Sequence, residues 1–548
     1  MSTTHEGPRV VVIGGGIGGI ATAGLLARGG ARVTLVERHD QLGGRAGRLQ
    51  KHGFTWDTGP SWYLMPEAFE QFFALMGRRV EDELELVDLD PRYRVYFEGE
   101  DSQGPAERLD VEADADANYA RFDALSAGDG QAMRQYASES YDLYRLALDR
   151  FLYTTYENPL KVVSTEVLRR LPSLAGLLSR PLGARIDRRV RDERLRKILG
   201  FHAVFLGSAP SRAPSLYSLM SHLDLTDGVR YPRGGLYEVI ESLARIAREE
   251  GAVLRTGCDV ARIEVGDDGL ATGVVLADGE RLPADVVVSG ADMHHTETEL
   301  LEPAHQWQDE PRWEKRSPGI SSLLVFAGVK GDLPELAHHS LFFTRDWDAN
   351  FAQIVGDGEL SAPVPGSLYV SRVTATNPSA APAGYENLFM LVPFPADPEL
   401  GADEASRDDL DALAWRYLDQ VAAWAGVPDL RERTTIHAIT TPADFATELS
   451  AWRGSALGLE HTLAQSAIFR PGNASPKVRN LLYAGSSTVP GIGMPICLIS
   501  AELVAKRLLG DTSAAPSATP IASGFLASSR RSDVLGELAR GSRRPGGA

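Results

Sequence analysis

PRVVVIGGGIGGIATAGLLARGGARVTLVERHDQLGGRAG, residues 8–47, decides the fold. Its opening RVVVI (9–13) is a short β-branched run, the composition of a strand buried on both faces. Gly14, Gly16 and Gly19 follow in a G-x-G-x-x-G pattern, with Gly18 between the last two. The first glycine permits a tight turn and the second lets backbone approach a pyrophosphate. The third lets the next helix pack close to the strand. Residues 20–27 continue as that helix, whose first N–H groups and dipole face the phosphates. RVTLV (32–36) predicts a second strand, and Glu37 stands at its end, 18 residues after Gly19. A carboxylate there accepts from ribose hydroxyls and repels a 2′-phosphate, which disfavours NADP. Residues 10–27 also have the length of a membrane span, but the window holds six glycines and ends at Arg28, so the fingerprint accounts for it better.

The bulk numbers bound the rest. A chain of 548 residues has ample core and more than one domain. A net charge of −18 argues against nucleic acid as a partner. Two cysteines, Cys258 and Cys497, make no disulfide framework, and no run has metal-ligand spacing, so no metal is expected. The first residues, MSTTHEGPR, lack an apolar signal core, which makes a cytoplasmic location the expectation.

Downstream, Gly43-Gly44-Arg45 is a turn whose arginine is suited to bridging two phosphates. Asp57-Thr58-Gly59-Pro60 is a second turn. Residues 62–230 are mostly helical in pattern. Within them, residues 169–197 carry nine arginines and Lys197 against Asp187, Asp192 and Glu193, a local charge of +7, interleaved with leucines. A basic amphipathic stretch of this kind suits adsorption to an anionic membrane surface, or else is a solvated helical face pairing with acidic patches elsewhere. Residues 231–300 return to α/β character, with strands at 252–255, 260–265, 271–276 and 284–289. His338 and His339 read as exposed loop histidines, since no third ligand stands at metal spacing. NLLYAGSSTVPGIGMPICLIS (480–500) is strand, glycine turn at Gly485, then Gly491 and Gly493 before a helix that starts near Met494. Backbone N–H groups at such a helix start are suited to a cofactor ring or its phosphates. From 510 onward the chain is rich in Ala, Ser, Pro and Arg and reads as a disordered tail.

GGR at 43–45, FTWDTGPSWYLMPEAF at 54–69, YPRGG at 231–235, AWRGSALGLEHTLAQSAIFRP at 451–471 and the 480–500 stretch, set behind the glycine fingerprint, resemble the bacterial-type phytoene desaturases. These are flavin enzymes related to the amine oxidases. The resemblance spans about residues 8–509; Val489 departs from the polar residue more usual before that proline. It implies an α/β architecture: a Rossmann-like FAD-binding domain, discontinuous in sequence, with an inserted α+β substrate domain. The expected boundaries are 8–95, 231–300 and 471–510 for the FAD-binding parts. A helical substrate and membrane-contact segment is expected at 96–230, a substrate domain at 301–470, and a disordered tail at 511–548. It also implies FAD held by Gly14, Gly16, Gly18, Gly19, Glu37, Gly44, Arg45, Gly59, Pro60, Val260, Gly485, Gly491, Gly493 and Met494. Val260 is expected to offer backbone to the adenine.

The implied reaction removes hydrogen from CH2–CH2 bonds beside a polyene, converting phytoene stepwise toward lycopene, with a quinone or oxygen as final acceptor. Glu166 and Arg169, an i, i+3 pair on one helix, are the expected catalytic residues, with an ordinary surface ion pair as the other reading. A carotene dissolved in a bilayer requires peripheral docking, which favours membrane contact by 169–197. Three alternatives remain open. One is a desaturase or ketolase of an apocarotenoid or hydroxycarotenoid. Another is an amine oxidase, for which Cys497 is a candidate flavin attachment. The third is a non-catalytic escort protein for prenylated partners.

Overall fold

The computed structural model describes residues 7–101, 104–158, 161–356, 358, 360–527, 536 and 538. Five parallel strands carry the glycine turn, in the order Leu481–Tyr483, Val286–Ser289, Arg9–Ile13, Arg32–Val36 and Val253–Arg255. The first strand is central and alternates its contacts. Val10 and Val12 face the helix Ile17–Arg28, while Val11 and Ile13 face a three-stranded antiparallel sheet, Val260–Val265, Ala271–Leu276 and Arg281–Pro283. This two-sided burial is why the strand is uninterrupted valine and isoleucine. The helix Ile17–Arg28 is buried almost throughout, because Tyr237–Glu249 and Met494–Leu509 flank it. Asn480 ties the two sheets together. Its Oδ1 accepts from the Ala271 N–H at 2.7 Å, and its Nδ2 donates to the carbonyls of Ala271 and Asp285.

A second layer is a seven-stranded mixed sheet in the order Thr434–Thr440, Ser321–Lys330, Tyr385–Phe394, Leu368–Ser371, His339–Phe343, Tyr93–Phe97 and Glu107–Val111. The last two strands come from early in the chain, so the boundary expected at 95/96 falls inside a strand of this seven-stranded sheet. Leu323 and Val325 pack under the helix Glu404–Ala425 with Leu410, Ala414 and Val421. Ser322 and Leu324 point the other way and line a cavity. The period of two thus separates core from site along one strand.

Three sequence expectations are corrected here. The basic stretch is not a free positive face. Arg185 and Arg189 both pair with Glu139, at 2.8 and 2.9 Å, Arg191 pairs with Asp129, and Arg194 with Asp192 and Glu107. The partners lie up to 87 residues away in sequence, so a local count overstates the charge. His338 and His339 are buried at the start of the strand His339–Phe343. Burial holds the His338 ring at a pKa of about 3, and the His339 ring is also pushed well below the ordinary range. Finally, residues 511–527 pack against the helix Pro66–Leu75 and the C-terminal end of the helix Ile17–Arg28. The Ile521 N–H donates to the Leu75 carbonyl at 3.0 Å, Leu526 N–H to Gly29, and Gln71 Nε2 to Ser517. Ala514, Ile521 and Leu526 are the buried apolar residues of this segment. Apart from Gly536 and Leu538, the expected tail beyond 527 lies outside the described residues.

Candidate active site

A single cavity of about 730 Å³ runs from the glycine turn into the interior between the two layers. At one end it is bordered by Gly14, Gly16, Gly18, Glu37, Gly44, Arg45, Gly59, Pro60, Val260, Gly485, Gly493 and Met494. Twelve of the fourteen residues expected to hold FAD therefore converge there from five separate parts of the chain. Gly19 and Gly491 stand behind this wall. A methyl group on Gly19 would collide with the Gly14 carbonyl oxygen, so its role is helix–strand packing. A Cβ on Gly491 would meet the His461 ring at 2.6 Å.

The donor set fits a dinucleotide. Gly16 has nothing within 4 Å of where a Cβ would project, which leaves the turn open to a ligand. The helix Ile17–Arg28 begins immediately behind it, with no side chain capping its N-terminal N–H groups. Glu37 is buried. Its two oxygens accept from the Gly15 N–H at 2.6 Å and the His39 N–H at 2.9 Å, which fixes the carboxylate at the cavity edge with lone pairs remaining for hydroxyls. Asp57 supports the wall from behind. It accepts from Tyr231 Oη and from the Leu236 and Tyr237 N–H groups at the start of the helix Tyr237–Glu249. Arg45 departs from its expected role. Its Nε donates to the Ala456 carbonyl at 2.9 Å and an Nη to Ser455, and it stands 3.6 Å from Asp292, so its fork spans to the neighbouring loop instead of lying free for two phosphates.

The inner part of the cavity is of another character. Between residues 143 and 223 every described lining residue is uncharged, among them Leu143, Phe151, Leu174, Phe205 and Met220. Trp62 and Tyr369 line it as well. His339 stacks on Trp62 at 4.5 Å and shares a hydrogen bond with Tyr369 Oη at 2.7 Å, so the misjudged histidine braces the channel wall.

Of the expected catalytic pair, Arg169 does not line this cavity. Val167, Leu171, Leu174, Ala175 and Leu178 of the helix Thr165–Ser179 form its cavity face. At 100° per residue Arg169 falls on the opposite side, and it is exposed. The Glu166 side chain lies outside the described residues. Sequence reasoning missed Tyr217, His461 and Arg470, which meet beside the 485–493 loop. Tyr217 Oη bonds His461 Nδ1 and donates to Ser466, and Arg470 sits behind His461. His461 and Arg470 stand in the GLEHTLAQSAIFRP segment, and Tyr217 stands in SLYSLM, with no local pattern that marks the three as neighbours. Cys497 lines the cavity, but burial pushes its thiol up to about 12, which removes the thiolate that a flavin attachment needs.

This fold and cradle define a flavin-dependent oxidoreductase, and comparison with known proteins bears it out. Residues 17–509 match the model of the flavin containing amine oxidoreductases. A carotenoid 3,4-desaturase of Haloarcula japonica is 38% identical over 92% of this chain and 99% of its own. A zeta-carotene-forming phytoene desaturase of Myxococcus xanthus is 36% identical over 93% of this chain and 95% of its own. Among solved structures, an oxidoreductase from Methanosarcina mazei superposes with a TM-score of 0.60 at 18% identity, covering 91% of this chain and all of that one, a likeness of fold. The chain belongs to the flavin containing amine oxidoreductase family, in the branch of the carotenoid and phytoene desaturases. It is an FAD-dependent oxidoreductase of the kind that acts on CH–CH bonds.

Proposed function

We propose that this chain dehydrogenates phytoene stepwise toward lycopene and passes the electrons on to a quinone or oxygen. The observation that carries the reading is the uncharged stretch of cavity from residue 143 to 223, continuous with the dinucleotide cradle. A polyene needs orientation and dryness. An amine would need a carboxylate or equivalent counter-charge, and the described lining there has none. FAD supplies hydride acceptance when bound. Glu37 would hold the ribose hydroxyls, the 14–16 turn and the helix start would hold the diphosphate, and Val260, Gly485, Gly493 and Met494 would border the rest of the cofactor.

Membrane docking belongs to the same reading, through different residues from those expected. Leu168 is 58% exposed beside the cavity face of its helix, Leu171 on that face is itself 53% exposed, and Val163 precedes them. Ile468 and Phe469 are 55% and 57% exposed beside Ala467, which lines the same cavity. Exposed apolar side chains at the channel edge give a bilayer-dissolved substrate a dry entry. Among the described residues no helix is long and apolar enough to cross a membrane.

The test is incubation of the FAD-loaded protein with phytoene in liposomes, read by absorption and chromatography. Red-shifted polyenes are expected, and their length counts the steps. Reducible FAD without product overturns phytoene as substrate. A second reading, desaturation of a hydroxylated or shortened carotenoid, is favoured by the Haloarcula relative at 38% identity, and the same assay with that substrate decides it.

A further inference from the structure

Arg470 is 3% exposed and lies directly behind the loop that closes the cradle. Its Nε donates to the Thr488 carbonyl at 3.1 Å and one Nη to Ser486 at 2.7 Å. The other Nη reaches the carbonyls of Leu459 and Gln465 at 3.3 Å. All these partners are neutral, and no carboxylate pairs with Arg470 among the described residues. Its titratable neighbours are neutral too. Burial pushes the Tyr217 phenol and the Cys497 thiol up and the His461 imidazole down, so all three are uncharged near neutrality. The neighbouring cation Arg316, which stacks over Trp313 and donates to Gln308, adds positive charge beside it. A buried, hydrogen-bonded and electrically unmatched guanidinium is expensive. Such a charge persists where something beside it is negative when the protein works. Ser486, Val489 and Ile492 of the same loop line the cavity that holds the cofactor.

We propose that Arg470 is the fixed cation that stabilises the negative charge the FAD ring acquires on accepting a hydride. The inference rests on the FAD assignment and is independent of which carotenoid is oxidised. When the C–H electron pair moves to the ring, the ring gains one negative charge and the departing proton leaves from the neighbouring carbon. An unmatched cation held by four carbonyls makes that product anion more stable without moving. Arg470 therefore acts electrostatically through the loop it supports and sets how readily FAD is reduced.

The test is the reduction potential of the FAD-loaded protein, measured by equilibrium dye titration without carotenoid. Arg470→Met is expected to shift the oxidised-to-reduced ratio at fixed potential by about tenfold toward oxidised, about 30 mV for a two-electron couple. Arg470→Lys retains most of the wild-type value. An Arg470→Met protein that binds FAD with the wild-type potential overturns the inference and leaves the desaturase reading intact. The wild-type protein supplies a second measurement that needs no variant to fold. Its potential is expected to change with one proton per two electrons on the acid side of neutrality, about 30 mV per pH unit. A two-proton slope there means a neutral reduced ring and also overturns it.

Discussion

Glu37 shows how one side chain joins fold to function. Its carboxylate closes the glycine turn through Gly15 and His39 and presents what remains to the ligand. Glu37→Gln exchanges an acceptor oxygen for an amide that opposes a backbone N–H. A hydrogen bond to a charged group is worth about 1.5–3 kcal/mol, so FAD affinity is expected to fall by about tenfold to a hundredfold. Fluorescence titration measures it, and unchanged affinity would remove Glu37 from the ribose. The buried histidines carry a different consequence. His338 and His339 have folded pKa values below the ordinary 6.5, so the unfolded chain takes protons first as the pH drops. Stability is complete above the unfolded value and is lost as pH falls toward the folded one. By about pH 5 His338 contributes about 2 kcal/mol of destabilisation, and His339 acts in the same direction. His339→Phe keeps a ring on Trp62 and removes one titration. Its melting temperature is expected to decline less steeply below pH 6.5, and an unchanged slope would contradict the assignment.

At the scale of the element, the helix Thr165–Ser179 divides its surface between tasks. One face lines the channel, and at its edge Leu168 and the lining Leu171 stay largely exposed to solvent. The arginines that follow are mostly engaged with acids of the helix Asp129–Ala147 and its surroundings. Liposome binding is therefore expected to depend on leucine more than on arginine. Leu168→Gln with Leu171→Gln removes two side chains worth about 1.5–3 kcal/mol each when fully buried. Binding in a sedimentation assay should weaken at least about tenfold. Full binding by that double variant would locate the docking surface elsewhere. Reversing Arg185 and Arg189 should instead lower the melting temperature, because Glu139 loses both partners.

At the scale of the molecule, the cavity is one space with two chemistries, a polar cradle and an uncharged channel. That arrangement predicts separable failures. Ala175 lines the channel on the helix that borders solvent. Ala175→Trp is expected to leave flavin absorbance and occupancy unchanged while turnover of liposomal carotene falls by about tenfold or more, as expected for a blocked passage through a close-packed wall. Equal turnover would mean that substrate enters by another route.

The sequence by itself determined the FAD-binding layer. RVVVI, the spaced glycines, RVTLV and Glu37 are contiguous, and each is demanded by local geometry: two-sided burial, tight turning, close helix packing, a carboxylate at a strand end. The 480–500 stretch was legible for the same reason, since strand, turn and helix start follow one another in the chain. What only the tertiary structure decided depends on partners distant in sequence. Glu139 and Asp129 neutralise arginines roughly 50 to 60 residues away. Trp62 and Tyr369 bury His339 from opposite directions in the chain. Ile521 and Leu526 find seats on the first helix layer. Arg470 becomes a buried unmatched charge only because four carbonyls, none adjacent to it in sequence, converge on its guanidinium. Local pattern specifies backbone geometry, but the charge and burial of a side chain are set by what folds against it.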